Sequence, residues 1–113
     1  MAIQVASLTF NPFEENTYIL MAPSKECIII DPGCADQRER DEIKHFISDH
    51  QLRPVRLINT HCHIDHILGN AFVSKEFGLE PEIHKGELPV LKSGMSVAGM
   101  YGIPYQPSPL PSS

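Results

Sequence analysis

The sequence predicts an α/β fold, a sheet with helices packed on one of its faces. Three features carry that expectation. The first 30 residues hold three short runs of β-type residues separated by turn chemistry. Residues 38–51 then switch to a helical period. A further strand, a histidine-rich run and a second helical stretch follow.

The strand runs are Ile3 to Phe10, Thr17 to Met21 and Cys27 to Ile30. Asn11-Pro12 and Ala22-Pro23-Ser24-Lys25 break them, and Asp31-Pro32-Gly33 ends the third in a turn. From Arg38 to Gln51, Ile43, Phe46, Ile47 and His50 recur at i, i+3, i+4 and i+7, an amphipathic helix. Pro54 bars its continuation. Val55 to Thr60 reads as a strand that delivers the chain to the histidines. A second helix is expected from Ile67 to Phe77, with Leu68, Ala71 and Phe72 on one face and Gly78 as its stop. Pro81 to His84 is a short strand. Residues 104–113 hold four prolines and three serines, so a loop or frayed tail is expected there.

At 113 residues the chain has room for one modest core. Its 42% hydrophobic and 20% charged residues are ordinary globular usage, which excludes disordered and fibrous classes. A net charge of -5 without a basic cluster argues against a nucleic-acid partner. No run is long enough to span a bilayer and no secretory leader is visible at Met1 to Ser7, so no membrane association and a cytoplasmic location are expected. Cys27, Cys34 and Cys62 are odd in number and lack C-x-x-C spacing, which disfavours disulfides and a zinc finger. Cys27 and Cys34 read as small buried hydrophobes.

The chemistry lies in Thr60-His61-Cys62-His63-Ile64-Asp65-His66. On an extended segment, His61 and His63 project to the same side and can grip one ion. Asp65 and His66, at a turn into the following helix, supply a second ligand pair close to the first. Imidazole and carboxylate donors without thiolate suit zinc, and also iron or manganese. Two adjacent ions would acidify a water between them, which makes hydrolysis the natural reaction class. Gly69 is expected to relieve crowding where an anionic substrate meets the helix N-terminus. His45 and His50 read as solvated rim residues, and no role is given to Phe13, Tyr101 or Tyr105.

The His-x-His-x-Asp-His run after an apolar strand, with Asn16-Thr17-Tyr18 and Asp31-Pro32-Gly33 upstream, resembles glyoxalase II-like members of the metallo-β-lactamase superfamily. The resemblance implies the N-terminal half of an αβ/βα sandwich with a mixed sheet, with residues 1–103 as the half-domain. It implies that His61 and His63 hold one metal ion and Asp65 and His66 a second, Asp65 being the catalytic carboxylate. Asp31 would be an outer residue of the site, and Cys62 and Ile64 spacers. The family's later half supplies another His, a bridging Asp and a final His. No Asp follows Asp65 here, and of the histidines only His84 follows His66. His84 sits where the family often has a His outside the ligand set, so a role behind the ligands or a structural one, and not a ligand role, is expected for it. The implied activity is that of a metal-dependent hydrolase of thioesters or other small ester-like substrates. The alternative is a metal-binding or interaction half-domain inactive on its own. Apolar residues run consecutively in Ile28-Ile29-Ile30 and Leu57-Ile58, so both sheet faces need cover. A homodimer or a complementary C-terminal half is the expected partner, alongside a small-molecule substrate in a complete enzyme.

Overall fold

The computed structural model describes residues 3–11, 13–60, 62–103 and 105–111. Period-two burial sets the strands. In β1 (Gln4–Phe10) and β2 (Glu15–Met21), Phe10, Glu15, Thr17 and Ile19 point inward and their neighbours outward. With β3 (Glu26–Ile30) they form an antiparallel meander. β4 (Arg53–Ile58) and β5 (Pro81–Glu82) then add in parallel, giving a mixed five-stranded sheet in the order β1-β2-β3-β4-β5.

The crossover from β3 to β4 is α1 (Gln37–Asp49), and it lays Ile43 and Ile47 against Phe10, Ile19 and Cys27. Asp36 caps it, accepting from the Glu39 N–H at 2.9 Å. The next crossover contains α2 (Ile64–Ile67) and α3 (Asn70–Phe77), with Val73 packed on Ile29 and Leu57. Helices α1 and α3 thus cover the sheet face that bears Ile19, Cys27, Ile29 and Leu57. On the other face the register aligns Val5, Leu20 and Ile28, and beside them Tyr18, Ile30 and Ile58. Val5 is 61% and Tyr18 38% exposed there.

Four expectations need correction. The second helix is broken in two, and Asp65 and His66 lie within its first piece. At Gly69 the N–H donates to Pro32 O at 2.7 Å instead of to Asp65 O one turn back. Asp65 O accepts from Asn11 Nδ2 at 2.9 Å, and His66 O from Asn59 Nδ2 at 3.2 Å. With the Gly69 N–H turned to Pro32 and side-chain amides on these two carbonyls, the helix is interrupted between Ile67 and Asn70. Second, Asn70 and Val73 are the fully buried residues of α3, whereas Ala71 and Phe72 are half-buried and Leu68 packs with Ile64 and Ile67. Third, β2 begins two residues earlier than expected, which places Glu15 and Asn16 in the strand, while β4 stops at Ile58 and leaves Asn59 and Thr60 in the loop. Fourth, the short strand ends at Glu82 and not at His84, and from residue 85 to 101 the chain is helical: a 3₁₀ turn (Lys85–Glu87), α4 (Leu88–Lys92) and α5 (Gly94–Tyr101). Leu91 and Ala98 anchor them to Cys62, Ile64, Ile67 and Leu68. Residues 105–111 form no helix or strand, yet the Ser108 hydroxyl accepts from Asn70 Nδ2 at 2.9 Å. No helix among the described residues is long and apolar enough to cross a membrane.

Candidate metal centre

The site assembles at the C-terminal ends of β3 and β4, where crossover loops leave a parallel sheet and ligands collect. At the end of β3, Asp31 has φ +54°, a strained value for a non-glycine residue, and is held there by its surroundings. Its carboxylate accepts from the Thr60 N–H at 2.8 Å and from the Thr60 hydroxyl, tying the two loops together. Thr17 supports the same loop: its hydroxyl meets Asp31 O at 2.9 Å and accepts from the Gly33 N–H at 3.0 Å.

Asp65 and His66 are brought together. His66 Nε2 lies 3.3 Å from Asp65 Oδ2. Two ligands of one tetrahedral ion at ~2.1 Å stand about 3.4 Å apart, so this spacing suits a shared ion. Both side chains line a cavity of ≈ 300 Å³, as does His63, the residue that precedes α2. The opposite wall is apolar, made by Val90 and Val97 with Phe13 and Tyr101, whose rings meet edge to face at 5.4 Å. His61 lies outside the described residues.

The other edge of the His66 ring faces inward. Nδ1 is 3.1 Å from Asp31 Oδ2 and 3.4 Å from Glu15 Oε1. Glu15, Asp31 and His66 thereby place three ligand-type atoms within 4.8 Å of one another. Burial pushes the Glu15 carboxyl up to about 8; the Thr17 hydroxyl bond opposes this, and the nearby charges of Asp31 and Asp65 add to it. Asp31 Oδ1 and Oδ2 also accept from Thr60, and Nε2, on the other side of the ring, lies beside Asp65 Oδ2.

The run is also held by its backbone. Glu87 Oε1 accepts from the Cys62 N–H at 2.8 Å, and Asn11 bridges Asp65 O and Gly33 O. Glu39 fixes Asn11 in turn, accepting its N–H at 2.8 Å. Cys62 and Ile64 do more than space the ligands, since both are buried in the cluster under α4 and α5. Burial pushes the thiols of Cys27 and Cys62 up to about 11 and that of Cys34 to about 12, which leaves them unreactive. His84 is exposed, and its Nδ1 accepts from the Gly86 N–H at 3.0 Å, capping the 3₁₀ turn. His50 stacks on Phe46 at the end of α1, away from the cavity. The expectation for Gly69 is overturned: a Cβ there would lie 2.3 Å from Cys34 Sγ and 2.8 Å from Pro32 O. Gly69 makes room for the β3–α1 loop, not for a substrate.

Glu15, Asn11, Glu87 and the apolar wall were not anticipated from the sequence. Glu15 left a trace: the inward series Glu15, Thr17, Ile19 places a carboxylate on a core face.

The metallo-beta-lactamase superfamily model matches residues 11–110. The chain belongs to the metallo-beta-lactamase superfamily. The superfamily is one of metal-binding hydrolases, and the mixed sheet with crossover helices is its fold. A probable metallo-hydrolase of Bacillus subtilis is 30% identical over 76 residues, which cover 67% of this chain and 34% of that protein. A hydroxyacylglutathione hydrolase of Buchnera aphidicola is 39% identical over 57 residues, 50% of this chain and 21% of that enzyme. Among solved structures, TTHA1623 in a di-iron-bound form superposes with a TM-score of 0.81 at 26% identity, over 96% of this chain and 52% of that one. The chain thus matches about a third or less of the length of these curated relatives, and about half of that solved chain.

Proposed function

We propose that this chain carries the first half of a metal-dependent hydrolase site of glyoxalase II-like type, acting on a thioester or another small ester-like substrate. The convergence of Asp65 Oδ2 and His66 Nε2 at 3.3 Å on a cavity carries the reading. In it His61 and His63 serve one ion and Asp65 and His66 a second. The donor set suits zinc, with iron or manganese as further candidates. The hydroxyacylglutathione hydrolase among the relatives supports the thioester class, and the di-iron form of a structural relative supports a two-ion site.

A bound divalent ion supplies Lewis-acid polarisation and lowers the pKa of water. The chain's own residues do the rest. Asp65, whose carboxylate lines the cavity beside His66 Nε2, would hold the ion and orient water there. Val90 and Val97, with the more exposed Phe13 and Tyr101, give one side of the cavity an apolar lining.

A second reading has its own support. The chain covers 34% or less of the curated relatives above, and no Asp follows Asp65 to bridge two ions. On this reading the 113-residue chain binds metal and turns over nothing on its own, and a second copy or a complementary half covers the apolar sheet face of Val5, Tyr18, Ile28 and Ile58. Metal analysis with titration, followed by a thioester hydrolysis assay on the loaded chain, separates the two. Metal bound in the wild type and lost in a His63→Ala/His66→Ala variant supports the site. Turnover at ordinary enzymatic rates supports a self-sufficient enzyme, and its absence the half-site.

A further inference from the structure

On the inward face of β2, Glu15 stands beneath the histidine run, at a position where strand alternation normally places an apolar side chain. Its surroundings are built for it. Gly33 lacks the side chain whose Cβ would lie 2.3 Å from Glu15 Oε2. The Thr17 hydroxyl meets that same oxygen at 3.1 Å. Glu15 as a whole is only 4% exposed, and its other oxygen, Oε1, has no hydrogen-bond partner among the described residues. A buried carboxylate oxygen left in that state is costly, so something beyond packing must account for it. Oε1 faces His66 Nδ1 at 3.4 Å, beside Asp31 Oδ2 at 3.1 Å.

We propose that Glu15 is a positioning residue for His66, acting with Asp31 to hold the Nδ1 edge of the imidazole inward so that Nε2 is presented beside Asp65. One acceptor on Nδ1 leaves the ring free to rock about its Cβ–Cγ bond. Two carboxylate oxygens set against Nδ1 from different places, β2 and the end of β3, bound the ring on its inner edge. Carboxylates behind a ligating imidazole also set its tautomer and raise its basicity toward a metal. The metal arm of this inference rests on the reading of His66 as a ligand given above. The geometric arm does not.

The test uses the 113-residue chain with nitrogen-labelled histidines, as wild type, Glu15→Met and Glu15→Gln. Methionine fills the buried slot without an acceptor, and glutamine keeps an acceptor oxygen in the same place. In the metal-free wild type, the Nδ1-bound hydrogen of His66 is expected as a solvent-protected resonance in nitrogen–proton correlation spectra. Because Asp31 Oδ2 stays 3.1 Å away, the resonance should shift and exchange faster with solvent in Glu15→Met and keep its wild-type position and protection in Glu15→Gln. With zinc added, the coordination shift should fall on Nε2. Affinity should drop by about 10- to 100-fold in Glu15→Met and stay within about threefold of wild type in Glu15→Gln. An unchanged resonance in Glu15→Met overturns the inference, and so does zinc bound through Nδ1 with Glu15 as its ligand. A wild type that binds no zinc but still shows the Glu15-dependent resonance refutes the metal reading and leaves the positioning role standing.

Discussion

Replacing Gly69 by alanine tests how the two crossover loops are locked together behind the site. The added Cβ would lie 2.3 Å from Cys34 Sγ, 2.8 Å from Pro32 O and 3.2 Å from Cys34 N. Two of those three atoms are backbone, and Cys34 is fully buried, so no flexible side-chain end can swing away. Overpacking of this kind costs about 1–3 kcal/mol. Separating the loops also stretches the 2.7 Å bond from the Gly69 N–H to Pro32 O, a further loss of about 1 kcal/mol. The expected destabilisation is therefore about 2–4 kcal/mol, a large share of the roughly 5–15 kcal/mol that holds a domain together. Urea unfolding followed by circular dichroism measures it. Cys34→Ala removes the closest clash, so the double variant should be more stable than the sum of the single effects by about 1 kcal/mol. A Gly69→Ala protein within about 0.5 kcal/mol of wild type, or strictly additive effects, would refute the close approach of these loops.

Gly99 lies in α5 with nothing within 4 Å of an added Cβ, so Gly99→Ala should stabilise the chain by about 0.5–1 kcal/mol, read as a rise in thermal midpoint. Because the folded-state pKa of Glu15 is raised from 4.5 to about 8, the folded form keeps a proton that the unfolded form releases between those values. The contribution of this group to the stability of the metal-free chain should therefore be fully present below pH 4.5 and be lost as pH rises toward about 8, by at most about 1.4 kcal/mol per pH unit. Glu15→Gln should flatten that slope in urea titrations across the range, and an unaltered slope counts against the assignment. A His61→Ala/His63→Ala variant should bind fewer equivalents of zinc than wild type in elemental analysis after dialysis, and equal stoichiometry would remove those two residues from the ligand set. At micromolar concentration the wild type should elute as a dimer or larger species in light scattering. A monodisperse monomer with no binding of an apolar-surface dye would show that the face of Val5, Tyr18 and Ile58 needs no cover.

Local pattern was the legible part. Runs of β-type residues bounded by turn chemistry gave β1, β2 and β3, and the i, i+3, i+4 spacing of Ile43, Phe46 and Ile47 gave α1, because these signals belong to a strand or helix by itself. The pairing of Asp65 with His66 was readable because one residue step separates them. The break at Gly69 was not readable, since it depends on Asn11, 54 residues away, taking the Asp65 carbonyl. The helices over 88–101 were hidden for another reason. Pro89, Gly94 and Gly99 are poor helix formers, and the segment is anchored by burial of Leu91 and Ala98 against the histidine run, a contact between distant residues.

The order of donor residues in His61-Cys62-His63-Ile64-Asp65-His66, and hence the class of ion they suit, is determined by the sequence alone, because ligand chemistry belongs to the side chains. Which edge of His66 faces the cavity is decided only by tertiary structure. Glu15 from β2 and Asp31 from the end of β3 meet Nδ1, Glu87 grips Cys62 from 25 residues further on, and the apolar wall arrives from α4 and α5. Each of these contacts joins residues far apart in the chain, and no local periodicity encodes a partner that packing alone brings into reach.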